Sequence, residues 1–403
     1  QENSMRRFGP GLLVTAAFIG PGSIATASVA GANFGFVLLW ALLFSLIATV
    51  VLQEMAARLG LVSNAGLAEA LRTTFNNPII NRAAVALVVA AIGIGNAAYE
   101  AGNISGAALG LQSITDFSAA TCAVALGLTA AVLLGTSGYK LLEPVLIMLV
   151  LIMSSVFVVT MFAVGVDFSA LFKGLLVPSL PDGSLLTVIA LIGTTVVPYN
   201  LFLHASLVQE KWRGVELNTA LAESRSDTLV SIGLGGLITL AVMSTAAVAF
   251  FDTGRAFSSS SMATQLEPIL GASANLFFAL GLIAAGLTSA ITAPLAAAYA
   301  VSGAMGWSTD FSDRRFRAIW MTVLIIGTTF AAIGTKPIAA ILFAQAANGL
   351  LLPIVAIFLL IIMNRGDLLG EHRNKFFANL IGGLVVVIVT ALGAFKLVKV
   401  FAM

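Results

Sequence analysis

Charge is the scarcest feature of this chain. Only 9% of its 403 residues are Asp, Glu, Lys or Arg, where soluble domains carry about 25%. The formal net charge of +2 gives no basis for a nucleic-acid partner. One cysteine, Cys122, excludes an intramolecular disulfide, and its apolar run makes it a packing residue. There is no Walker-type phosphate loop, which argues against ATP-driven pumping, and no Ser/His/Asp arrangement. No enzyme activity and no cofactor are expected. What is abundant is apolar sequence: 59% of residues are hydrophobic, and mean hydropathy is +1.04. Many runs reach the roughly 20 residues that span a bilayer. The class is a polytopic all-α membrane protein. No cleavable signal peptide is expected, because the residues after Arg6-Arg7 continue into a span.

Hydropathy predicts eleven membrane helices, over 8–33, 35–59, 81–111, 115–137, 140–165, 184–210, 225–252, 272–304, 315–334, 337–364 and 376–402. Connections 60–80 and 211–224 are expected to be cytoplasmic and partly helical. Connection 253–271 is expected outside, with a surface helix over 258–270. Basic residues set the orientation. With the N-terminus inside, only Lys173, Arg255, Lys336, Lys396 and Lys399 of the 20 basic residues fall outside. The expectation is a multi-pass monomer in a bacterial inner (plasma) membrane, N-terminus cytoplasmic and C-terminus outside.

Two breaks interrupt the apolar pattern at matching places. Gly20-Pro21-Gly22-Ser23 lies in helix 1, and Val197-Pro198-Tyr199-Asn200 lies in helix 6. Proline removes a donor and glycine loosens the helix, so each break frees backbone polar groups at membrane depth. Such backbone is tolerated where protein buries it or where it lines a cavity. The step from helix 1 to helix 6 is five helices, an odd number, so the second half is inverted relative to the first. The predicted organisation is one transmembrane domain over 1–403. It holds a first five-helix repeat (8–165), a second, inverted repeat (184–364) and an extra helix (376–402). Paired broken helices in an inverted repeat are the sequence mark of a LeuT-like secondary transporter, with its substrate site between the breaks.

Longer motifs carry a family resemblance over nearly the whole chain. They include Phe8-Gly9-Pro10-Gly11, Ala30-Gly31-Ala32-Asn33-Phe34-Gly35-Phe36 and Leu52-Gln53-Glu54-Met55-Ala56-Ala57-Arg58-Leu59-Gly60. Asn200-Leu201 with Leu203-His204, Ser289-Ala290-Ile291-Thr292, and Ala344-Gln345 with Leu352-Pro353 complete the set. The chain resembles the Nramp family of proton-coupled divalent metal transporters. The resemblance implies a LeuT-like fold, a metal ion as substrate and symport. It fails at the metal ligands. The family's Asp-Pro-Gly-Asn is here Gly20-Pro21-Gly22-Ser23, and its Met-Pro-His is Val197-Pro198-Tyr199. Of its acidic pair on helix 3 only Glu100 remains, with Ala97 in the partner's place.

The groups left at the breaks are neutral oxygens: Ser23, Tyr199, Asn200 or its carbonyl, Gln345 and Asn348, with freed carbonyls near Ala17, Gly20 and Thr194. Thioether and imidazole suit transition metals, whereas hard cations prefer oxygen. Val197 offers no ligand. A bare divalent ion loses too much hydration in such a site; hydrated Mg²⁺ is better served. Glu100 is the leading ionisable candidate, for proton relay or counter-charge, because a carboxylate at mid-span is costly. His204, one turn past Asn200, resembles a family position on the proton route. Glu54, four residues before Arg58, reads as an ion pair or a gate. Glu143 and Asp227 read as charges at the starts of helices 5 and 7, and His372 as a loop residue.

Three functions remain open on these residues. One is a secondary transporter of a hard divalent cation such as Mg²⁺. Another is a transporter of a small organic or amino-acid-like solute, whose carboxylate a half-helix N-terminus could hold. The last is a channel or sensor.

Overall fold

The computed structural model describes residues 9–11, 19–136, 139–334 and 336–401, without the side chains of 139–141, 143 and 396–401. The expectations for Arg6, Arg7, Ala17, the first half of helix 1, and the Lys140, Glu143, Lys396 and Lys399 side chains lie outside the described residues. Among the described residues all regular secondary structure is helical. Its long helices are α1 (Pro21–Phe34), α2 (Leu39–Ser63), α3 (Pro78–Gln112), α4 (Ala119–Gly135), α5 (Tyr139–Ala163), α6a (Leu185–Thr195) and α6b (Pro198–Lys211). They continue as α7 (Leu217–Phe250), α8 (Ala274–Met305), α9 (Arg314–Ile333), α10 (Pro337–Met363) and α11 (Phe376–Phe401). Among the described residues nine helical segments are long and apolar enough to cross a bilayer, and α4 is a shorter apolar helix.

Local chemistry explains the helix ends. Asn77 accepts from the amides of Ile79 and Ile80 ahead of Pro78 at the first turn of α3, a position where proline's missing donor costs nothing. Asp313 does the same for Arg315 and Phe316 at the start of α9. Met305 is followed by Gly306 at φ 69°, a left-handed turn that ends α8.

Three expectations need correction. The expected start of helix 7 at 225 is too late: α7 starts at Leu217, where the Glu216 carboxylate caps the amides of Asn218 and Thr219, so that connection 211–224 is partly helical. Asp227 is therefore well inside α7 and not at its start; its carboxylate accepts from the Gly11 amide at 2.6 Å. The expected surface helix over 258–270 is a 3₁₀ turn, Met262–Leu266, running into Glu267–Leu270. A further short helix, Phe168–Leu176, capped by Asp167, lies between α5 and α6a. Connection 60–80 carries the short helix Leu67–Arg72.

One side of α3 packs on α8, α10 and α9, while α7 packs on α1 and α10 on α6a. Close backbone approach holds this bundle together, as expected where lipid supplies no hydrophobic drive between helices. A Cβ on Gly193 would lie 2.0 Å from the Gln345 carbonyl oxygen, and one on Gly106 would lie 2.0 Å from Pro21 Cβ.

Candidate functional site

Both breaks are real interruptions. Gly20 is extended (φ −109°, ψ −177°) and Pro21 opens α1. Val196 and Val197 are non-helical between α6a and α6b, and Pro198 opens the second half. The two breaks meet. The Ser23 and Thr194 hydroxyls share a hydrogen bond of 2.8 Å. α10 closes the group from the side: a Cβ on Gly22 would lie 2.1 Å from Gln345 Nε2, so only glycine leaves room for that carboxamide. Ser23, Thr194, Val197, Tyr199, Asn200, Gln345 and Asn348 are all buried.

α3 supplies the wall. The Tyr99 ring meets Tyr199 edge-on, with centroids 5.6 Å apart. Asn103 Nδ2 donates to Glu100 Oε2 at 3.3 Å. On its other side the Glu100 side chain lies on α9, where a Cβ on Gly327 would come 2.4 Å from Glu100 Cγ. Asn348 Oδ1 sits 3.3 Å from the Cβ position of Gly95 on α3.

Two residues enter the site that sequence reasoning did not assign to it. Ser289 Oγ of α8 would lie 2.8 Å from a Cβ on Gly20, and Asn103 Oδ1 3.9 Å from it. The space where the family's aspartate begins is therefore bordered by a hydroxyl and a carboxamide. Ser289 stood in a quoted motif and Asn103 one turn from Glu100; no local signal linked either to Gly20.

The site is polar and under-satisfied. Glu100 Oε1, Asn103 Oδ1, Ser289 Oγ and both amide atoms of Gln345 find no hydrogen-bond partner among the described residues, although their side chains are fully buried. Native interiors leave few such groups. A cluster of them at the meeting of two broken helices suits water or a polar substrate.

Two of the predicted pathway residues sit apart from this group. His204 Nδ1 is 2.9 Å from Gln53 Oε1 of α2. Glu54 pairs with Arg58 at 3.0 Å and with Arg225 of α7 at 3.1 Å. Arg58 also donates to the His372 carbonyl and to Asn374 Oδ1, tying α2 to the segment before α11. Among the described residues no group of three His, Cys, Asp or Glu could hold a metal ion.

The described site has the helix pairing of the resembled family without its anionic and thioether ligands, and the family model described as natural resistance-associated macrophage protein-like matches residues 11–399. The chain belongs to the Nramp family. The divalent metal cation transporter MntH of Yersinia pestis (strain Pestoides F) is 29% identical over 397 residues, spanning 97% of this chain and 94% of that protein. The MntH of Yersinia pseudotuberculosis serotype O:3 matches equally. These curated relatives are transporters, not enzymes. A mutant of the Eremococcus coleocola manganese transporter superposes with a TM-score of 0.76 at 20% identity, over 98% of this chain and 88% of that one. The nucleobase-cation-symport-1 family transporter Mhp1, in a closed conformation, gives 0.56 at 13% identity, over 96% and 91%. The fold of this Nramp chain is thus the all-helical, LeuT-like one of a multi-pass membrane protein.

Proposed function

We propose that this Nramp chain is a secondary active transporter of a divalent cation, moved by alternating access. The name of the MntH relatives supports the cation class. The observation that carries the finer reading is the donor set: Ser23, Thr194 and Gln345 meet between the breaks, with Ser289 and Asn103 beside Gly20, and none is anionic or soft. Neutral oxygen ligands favour a hard ion that keeps part of its water shell, and Mg²⁺ dehydrates reluctantly. Mg²⁺ is therefore the substrate of this reading. Residues 8–165 and 184–364 act as the two inverted repeats around the site, with 376–402 as an addition. Glu100, hydrogen-bonded to Asn103, is a carboxylate beside this donor set. It serves as proton carrier or counter-charge, and its free oxygen beside Asn103 supports either role.

Uptake into proteoliposomes containing the purified chain tests the reading. Mg²⁺ entry should exceed that of Mn²⁺ and Cd²⁺, and Ser23→Ala should reduce it. Failure to move any divalent cation, with uptake of a small zwitterionic solute instead, would replace this reading with that of an organic-solute carrier.

A further inference from the structure

The broad face of α3 opposite the site is not covered by protein. Between α3, α9 and α10 runs an apolar cavity of about 1020 Å³. Its floor is a row of small residues on α3: Ala90, Gly93, Ala97 and Ala101. Gly93 is open there, since a Cβ would meet nothing within 4 Å. The exposed rings of Phe330 on α9 and Phe343 on α10 flank the far end. The Thr322 hydroxyl in this lining already donates to the Ala318 carbonyl, and the strongly polar groups stand at the other end: Trp307 in the connection after α8 and Arg315 at the start of α9.

That end carries free positive charge. The Arg315 guanidinium lies 5.2 Å from the Trp307 ring centroid, and no carboxylate pairs with it among the described residues. The nearby acids are engaged elsewhere: Asp313 accepts from the Arg315 and Phe316 amides, and Asp310 from the Ser312 amide. Arg317 donates to the Phe311 carbonyl, and Arg314 adds a further exposed charge. Arginine and tryptophan at a helix end mark the interface between headgroups and hydrocarbon.

We propose that this groove binds one anionic phospholipid, its phosphate on Arg315 and an acyl chain along the floor of α3. The dimensions agree. From Arg315 to Phe330 is about 22 Å at the α-helical rise, longer than the ~15 Å half-thickness of the hydrocarbon core that an acyl chain crosses. Charge complementarity selects the headgroup, because a basic pocket between transmembrane helices attracts anionic lipid. A second helix is the competing occupant, since small residues such as Gly93, Ala97 and Ala101 allow close backbone approach; the Arg315 charge at the mouth, with no carboxylate paired to it among the described residues, favours the anionic lipid. The floor also has a functional side: the turn Ala97–Ala101 that would carry the acyl chain holds Glu100 on its inner face. A seated lipid would brace that turn against α9. The proposal does not depend on which ion is transported.

Native mass spectrometry of the full chain in detergent, titrated with phosphatidylglycerol or phosphatidylcholine of identical chains, tests the headgroup. Phosphatidylglycerol should be retained at least fivefold more strongly. Arg315→Ala, at an exposed position, should abolish the difference. A diazirine on the acyl chain tests the groove: crosslinks should concentrate on α3 and α9 peptides around Gly93 and Ile326, and Gly93→Leu should remove them. Equal retention of both lipids, an unchanged preference in Arg315→Ala, or crosslinks spread evenly over the lipid-facing helices would overturn the proposal. So would a copurifying protein chain crosslinked at Gly93.

Discussion

Ser23 and Thr194, 171 residues apart in the chain, join the two broken helices through one hydroxyl–hydroxyl hydrogen bond of 2.8 Å. Their burial at the meeting of α1 and α6a couples the halves wherever substrate binds between them. Ser23→Ala and Thr194→Val should therefore be non-additive. A neutral hydrogen bond is worth about 1 kcal/mol net, or about fivefold in affinity. In a double-mutant cycle on uptake KM, each single variant should cost about as much as the pair. Strictly additive losses would mean that the hydroxyls act separately.

Selectivity should follow the missing ligands. Wild type should discriminate weakly in favour of Mn²⁺ or Cd²⁺, and Gly20→Asp with Val197→Met should move the site towards both. The geometry adds a condition. A Cβ on Gly20 meets Ser289 Oγ at 2.8 Å, with Ser289 Cβ at 3.7 Å, so the serine hydroxyl must swing away before a carboxylate fits. Adding Ser289→Ala should strengthen Mn²⁺ binding beyond the double variant in calorimetry. Tight Mn²⁺ binding by wild type, lost in Ser23→Ala, would contradict the hard-ion reading.

Glu100→Gln keeps shape and hydrogen bonding but removes the titratable group. If Glu100 carries the coupled proton, uptake by this variant should lose its pH dependence. If it only balances charge, cation affinity should fall at every pH. Unchanged uptake across pH, in a variant that inserts normally, would leave a packing role and make His204 the next residue to test.

The contact between α3 and α9 should be intolerant of a single methyl group. Gly327→Ala places a Cβ 2.4 Å from Glu100 Cγ and 2.6 Å from its Cβ. Overpacking of this kind costs about 1–3 kcal/mol. The thermal midpoint in detergent should drop, and Glu100→Ala in the same chain should recover part of the loss. A Gly327→Ala variant with wild-type stability and uptake would show that α9 moves away from Glu100 freely.

The arginines that share Glu54 should differ in effect. The Arg58 side chain is 8% exposed and bonds to Glu54, the His372 carbonyl and Asn374, whereas Arg225 is 58% exposed. Removing Arg58 leaves the buried Asn374 oxygen without its donor, at about 1–3 kcal/mol, and an exposed pair is worth roughly 0–1 kcal/mol. Arg58→Ala should loosen the 370–375 segment, raising thiol labelling of an engineered cysteine at Ala378. Arg225→Ala should change it little.

Single-residue chemistry made much of this protein legible without coordinates. Apolar run length located the spans, and Pro21 and Pro198, each beside glycine or polar residues within an apolar run, located the breaks, whereas Pro294 and Pro353 sit within continuous helices. The absence of an acid at Gly20 and of a thioether at Val197 was likewise visible in one dimension. Boundaries failed where a polar cap extended a helix past its apolar stretch, as Glu216 does for α7. What only the tertiary structure decided was adjacency. It set Ser289 and Asn103 beside Gly20, laid Glu100 on Gly327, turned His204 towards Gln53, and brought Asp227 to the Gly11 amide, 216 residues away. Hydropathy reports how deep a residue sits in the bilayer. It carries no information on which helix lies opposite, and that is settled by close approach at glycines such as Gly22, Gly106 and Gly193, where partner and cavity are defined together.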